Sequence, residues 1–563
     1  MLYIIFFYFL FFSKIYCFKC GSNKYNIKPK INNANNSLRY LESETNHSIK
    51  FYIDYEIMDK QVNNKINNTI ITSNYISFIK SSLNKTMNVF KSLLNVSSTQ
   101  SIYISNENIY DPPDDLKNII TESNLSEILN KTIKADIIIL PIIFPLAEDI
   151  DAAAFTFLID YTFRPILGIV ELRPNYNFSL KNSEKFLSLL LLHEITHVLV
   201  FSPGLYSLFQ TEPNTKIFDY EIINGINRTK ICTPKVVQAA QKHFNCSSIS
   251  GIELENQGSN GTIGAHWEAR IMLGDYMIAI DYPEIVLSDI TLSLFEDSGW
   301  YSVNYYTGGL FRFGKNQGCS FFEKKCLYNQ GQNTIFPNDF CNENGKEFCS
   351  SSHLSKGNCY ITKYSSIKEK YRYFGDKHTG GFSHADYCPV SYAATTNNDY
   401  YFPSNCRNGK SVYEGEIINE DSLCFESSIN NSDMKSVCYK MECDQNGKTF
   451  NIYIGKNIVT CPGNETVLNN PSELNGKIKC PNYNLVCTSK VWCNDIFDCI
   501  VKNSEADLST YDYISNKLEL QKREAKNLLI DDSLILEEKS SINSLNLNLI
   551  ILLIMREINK YFI

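Results

Sequence analysis

Apolar and polar positions along this chain fall into a few distinct rhythms, and their order outlines a fold. KFYIDYEI (50–57) reads as a strand, and SNYISFIKSSLNKTMNVFKSLL (73–94) has the spacing of an amphipathic helix. ADIIILPIIF (135–144) and ILGIVEL (166–172) are apolar runs bounded by proline, which predicts buried strands of a mixed sheet. NSEKFLSLLLLHEITHVLVF (182–201) carries the strongest helical signal in the protein. Asn182 or Ser183 can cap that helix, and Ser202-Pro203-Gly204 stops it. A further helix is predicted over Asp289 to Asp297, ending at Gly299. No internal repeat interrupts this order.

Composition sharpens the picture at three points. A chain of 563 residues exceeds one ordinary core, so several domains are expected. The opening MLYIIFFYFLFFSKIYC (1–17) is almost entirely apolar and aromatic and reads as a secretory signal peptide, although it lacks a basic start. Of 19 cysteines, only Cys17, Cys20, Cys232 and Cys246 precede residue 300, while the rest lie between Cys319 and Cys499. That clustering predicts a disulfide-stapled C-terminal region beside a cysteine-poor one, in a protein outside the cytosol. The spacings never repeat as paired C-x-x-C units, which argues against zinc ribbons. Sequons at Asn84, Asn227 and Asn464 are compatible with glycosylation. A net charge of -8 provides no basic footprint, so no nucleic-acid partner is expected.

Past the last cysteine, a charged helical segment (516–540) leads to LNLNLIILLIM (545–555), well short of the ~20 residues that span a bilayer. Ser540 and Ser541 suit a lipid-anchor attachment site, whereas the charges in the final REINKYFI oppose one. Membrane-surface attachment through this tail and a merely apolar tail both stand.

The chemistry lies in HEITH. On a helix, residues four apart share a face, so His193 and His197 can each aim an imidazole at one metal ion. Glu194 is then directed toward the open coordination position, where it can act as general base. With eight histidines in the chain, chance supplies about 0.006 such motifs, so two incidental surface histidines are a poor account. A catalytic zinc needs a third protein ligand. His243 and His266 are the histidines between this helix and the cysteine-rich region. His243, in AAQKHFNC, fits an exposed helix end and reads as structural. His266 follows Gly261 and Gly264, 69 residues after His197, and is the expected ligand.

HEITHVLVFS, the long insertion, GAHWEAR and a following methionine together resemble the leishmanolysin-type metzincins. RPILGIVEL (164–172), LFEDSGWYSVNY (294–305), FGKNQGCSFFEKKC (313–326) and YFGDKHTGGFSHADYCPV (373–390) extend that resemblance, in order, over roughly residues 135–500. It implies an α+β fold, with a catalytic domain split into N-terminal (96–202) and central (203–312) subdomains and a disulfide-rich domain at 313–500. Before these stand the signal (1–17) and a pro-region (18–95), and behind them the tail (501–563). The resemblance further implies one zinc ion per chain on His193, His197 and His266, Glu194 as general base, and Met277 as the residue of a Met-turn. Its activity would be that of a secreted or surface-bound zinc endopeptidase acting on polypeptides; a catalytically silent adhesion protein on the same scaffold is the alternative. Cys20, in FKCGSN, either blocks the zinc as a zymogen thiolate or pairs in a disulfide. The family has glycine where this chain has Val200, so the helix must end differently, either impairing activity or running on toward Pro203-Gly204.

Overall fold

The computed structural model describes residues 29–31 and most of residues 45–497. The signal segment, Cys20 and the tail from residue 501 lie outside the described residues.

A five-stranded mixed sheet and two long helices organise the first half. In chain order its elements are β1 (Lys30–Ile31), β2 (Phe51–Ile53), α1 (Ser73–Leu93), β3 (Ile137–Ile143), β4 (Ala152–Ile159), β5 (Pro165–Leu172) and α2 (Ser183–Leu199). The strands lie in the order β1-β4-β5-β3-β2. β4 and β5 are antiparallel, and the other neighbours are parallel. β3, β4 and β5 are buried at every position. This burial on both faces explains their largely apolar sequence, interrupted only by Thr156 and Glu171. Alternate residues feed two separate cores: Ile137, Ile139 and Val170 on the helical side, and Ile138, Leu140 and Ile169 on the other.

Pro141 sits in β3, although proline has no N–H for a ladder. It is tolerated because β2 pairs only as far as Ile139, leaving β3 with one strand neighbour there. The Gln61 side chain continues the edge instead, accepting from Ile143 N at 3.0 Å and donating to Ile143 O at 2.8 Å.

α2 lies directly on this sheet. A Cβ on Gly168 would sit 2.2 Å from Val198 Cγ1, so only glycine lets β5 approach the helix this closely. Thr156 of β4 donates to the Val198 carbonyl at 2.6 Å. α1 is capped by Thr72, whose side chain accepts from Tyr75 N, and it buries Ile79, Leu83, Phe90 and Leu93. Thr86 of α1 donates to Ser188 O of α2 at 2.9 Å. A boundary at residue 95 therefore cuts through one packed unit: β2 belongs to the sheet and α1 to the core that supports α2.

The next stretch holds the hairpin β6 (Phe218–Ile223) and β7 (Ile226–Ile231), then α3 (Pro234–Phe244), β8 (Ile252–Glu253), α4 (Ala269–Met272) and α5 (Asp289–Asp297). α5 begins where expected, with Ser288 accepting from Thr291 N. The main core is continuous from Ile49 through this stretch to Val390, so the expected N-terminal and central parts share it. Further on, a six-stranded antiparallel sheet between Ser422 and Cys480 has its own core around Phe425, Tyr439 and Phe450.

Among the described residues seven disulfides form. Cys246–Cys319 ties the central stretch to the cysteine-rich one, and the other six lie within the latter: Cys326–Cys388, Cys341–Cys359, Cys349–Cys424, Cys406–Cys438, Cys443–Cys487 and Cys461–Cys480. Among the described residues Cys232 is a free thiol. Mixed helix and sheet is consistent with the expected α+β fold, and this density of cross-links with an oxidising compartment.

Candidate metal centre

The last turns of α2 place His193 and His197 one turn apart, their ring centroids separated by 4.7 Å. The chain then makes its excursion through β6, β7, α3 and β8, and returns His266 to the same point. His193 Nε2 lies 3.1 Å from His197 Nε2 and 3.2 Å from His266 Nε2. The ligand atoms of all three lie within 4.8 Å of one another.

The opposite nitrogen of each ring explains why they converge. His193 Nδ1 donates to Tyr276 O at 2.7 Å, His197 Nδ1 to Phe201 O at 2.7 Å, and His266 Nδ1 to Thr262 O at 3.0 Å. A carbonyl can only accept, so each Nδ1 carries its hydrogen and each Nε2 presents a lone pair. Three lone pairs facing one another within 4.8 Å repel, and a bound cation would convert that repulsion into coordination. The donor set thus fits a divalent transition metal held by three imidazoles. Burial keeps the rings neutral: it pushes His193 down to about 4 and holds His197 and His266 well below the ordinary histidine range, where the neighbouring rings add to the effect. Glu194 follows the first of these histidines on α2 and is fully buried.

Met277 is fully buried in the segment that closes this centre. Its N–H donates to Asp275 Oδ1 at 2.8 Å, and its carbonyl accepts from Trp267 N at 3.0 Å. Asp275 Oδ2 in turn accepts from Thr291 Oγ1 at 2.7 Å, and Thr291 Oγ1 accepts from Trp267 Nε1 at 2.8 Å. The residue beside His266 is thereby locked to the turn containing Met277 and to the start of α5. Tyr276 links that turn to α2 twice, through its carbonyl to His193 and through its hydroxyl to Thr196 Oγ1 at 2.8 Å. Trp267, Asp275, Tyr276 and Thr291 escape a reading of sequence because their partners are distant in the chain and partly main-chain atoms.

Val200 ends α2 without a left-handed residue. Its φ is −155°, and both its own N–H and that of Phe201 donate to Thr196 O at 2.9 Å. The helix stops at Leu199, before Ser202, and the displaced Phe201 carbonyl is what His197 uses. His243 stands apart from the trio and is half-buried, not exposed: Nε2 donates to Phe313 O at 2.8 Å, and the ring stacks on Phe311.

Comparison with known proteins agrees with this geometry. The leishmanolysin family profile, peptidase family M8, matches residues 68–493. The chain is 28% identical to a leishmanolysin homolog of Crithidia fasciculata, over 54% of this chain and 48% of that protein. It is 26% identical to leishmanolysin of Leishmania chagasi, over 62% of this chain and 59% of that protein. It is 30% identical to a leishmanolysin-like peptidase of Caenorhabditis briggsae, over 47% of this chain and 49% of that protein. The chain therefore spans about half the length of these curated relatives. With a matching profile across most of the chain and three histidines converging inside it, the protein belongs to the leishmanolysin family.

Proposed function

We propose that this protein is a zinc-dependent endopeptidase, secreted or held at the outer cell surface, that hydrolyses peptide bonds of polypeptides. The observation that carries the reading is the buried convergence of His193, His197 and His266 beside Glu194. These imidazoles would hold a zinc ion, which would supply a Lewis acid able to polarise a carbonyl and bring the pKa of a water to about 7. The chain's own task is proton transfer and orientation. Glu194 takes a proton from the attacking water and delivers it to the leaving amine nitrogen. The carbonyls of Tyr276, Phe201 and Thr262 hold the three rings in the ligating tautomer, and Met277 fills the turn closing the centre.

Substrate would lie extended between the parts formed by residues 96–202 and 203–312, pairing with the outer edge of the sheet. That edge would be β4 once β1 is removed, since Lys30–Ile31 covers it by pairing in parallel with Leu158 and Ile159. Because residues from Thr45 onward belong to the folded unit, we place the end of the removable region before Thr45, so that processing frees this edge.

Purified processed protein should bind one zinc and cleave casein, and a chelator should stop cleavage. Glu194→Ala should retain the metal and lose at least ~10²-fold in kcat. Undiminished proteolysis by that variant would sink the mechanism. Zinc-loaded wild type that cleaves no polypeptide would leave a binding role on the same scaffold.

A further inference from the structure

His266 lies 69 residues beyond His197, so its position depends on what grips the segment that carries it. The backbone of Glu255 grips it from one side. Its N–H donates to His266 O at 2.9 Å, and its carbonyl accepts from Gly264 N at 3.0 Å. Glu255 is 1% exposed. Oε1 accepts from Gln257 N at 2.7 Å. Oε2 accepts no hydrogen bond among the described residues; its neighbour is His384 Nδ1, at the ion-pair distance of 3.3 Å.

His384 stands on the turn Ser383–Ala385 of the cysteine-rich region, close to the Cys326–Cys388 disulfide. It packs into the loop ahead of His266, where a Cβ on Gly258 would come within 2.7 Å of its Cε1. A second contact from the same region reaches the other side of His266. Glu268 Oε2 accepts from Asn256 Nδ2 at 2.9 Å, and Asn256 Oδ1 accepts from Tyr371 OH at 2.9 Å.

We propose that His384 and Tyr371 are positioning residues for the third metal ligand, and that the cysteine-rich region acts as a clamp that pre-organises His266. His384 acts through Glu255, and Tyr371 acts through Asn256 and Glu268. The physical basis is the expense of a buried carboxylate without a compensating neighbour. Without His384, the Glu255 side chain turns toward water and carries with it the backbone that holds residues 264 and 266. The inference rests on His266 being a metal ligand, and not on the peptidase reaction.

The test uses the full, disulfide-intact protein. Zinc affinity is measured by competition with a chromophoric chelator, and the visible absorption of the cobalt(II)-substituted protein reports the ligand field. His384→Ala should weaken zinc binding about 10- to 100-fold and change the cobalt spectrum. Adding Glu255→Gln to that variant should restore most of the affinity, because a neutral amide no longer needs the imidazole. Tyr371→Phe removes one oxygen and should weaken zinc at least about threefold; if His384→Ala does not fold, this variant decides. Wild-type affinity and an unchanged spectrum in the folded variants overturn the clamp. So does a double variant as weak as His384→Ala alone. A wild type that binds zinc through His266 but cleaves no polypeptide overturns the peptidase reading only.

Discussion

Val200 occupies the place where the family resemblance leads one to expect glycine, and a valine there raises the concern of a misplaced ligand. The structure removes it: with φ at −155°, the residue avoids the left-handed region, and its side chain is fully buried in the main core. Restoring glycine should therefore do harm. Val200→Gly should lower unfolding free energy by about 2–4 kcal/mol, through lost burial and a freer unfolded chain, with metal binding retained. Denaturant titration with metal analysis checks this, and a more stable glycine variant would show that a left-handed turn is preferred after all. The first two histidines of the trio and their neighbour Glu194 were legible because the spacing of HEITH is a local property of a helix. His266 was legible only through GAHWEAR and its resemblance, and its geometric partners were not legible at all.

Between α2 and the sheet, one contact decides how deep the metal-bearing helix sits. Gly168 of β5 lies flush against Val198, the residue after His197. Gly168→Ala should destabilise by about 1–3 kcal/mol through overpacking. Combined with Val198→Ala, the loss should be smaller than the sum of the two single losses, because each change makes room for the other. Additivity would mean that the two residues are not in contact in solution. This packing also shows where pattern-reading falls short. β3 and β5 announce themselves as apolar runs bounded by proline, but β4 begins Ala152-Ala153-Ala154, which has no strand preference and is recruited by its neighbour β5. α1 was visible as a helix, yet nothing local announced that Thr86 would bond to α2, a contact 102 residues apart.

At the scale of the molecule, the cysteine-rich region is bound to the rest by the shared main core, by Cys246–Cys319 and by buried polar groups. Cysteine clustering announced the region, but pairing depends on which strands become neighbours, and spacing alone does not state that. One buried acid there yields a pH prediction. Asp339 accepts from Gly314 N at 2.8 Å, and burial pushes it up to about 7 from the ordinary 3.8. Below pH ~4 both folded and unfolded chains hold that proton and no penalty exists. Between about 4 and 7 the unfolded chain ionises first, so stability falls, and above 7 the whole penalty is present. Asp339→Asn should therefore raise the melting temperature at pH 8, by up to ~4 kcal/mol in free energy, and change little below pH 4. An equal gain at both extremes would refute that origin. The three Nδ1–H donors at the metal centre bear on the whole chain in another way. All end on peptide carbonyls, which every residue type possesses, so side-chain replacement at Tyr276, Phe201 or Thr262 cannot delete the acceptor itself. The tautomers are thus written into the path of the backbone, a specification that point mutation reaches only by bending the chain, and one that drifting sequences can conceal while the site persists.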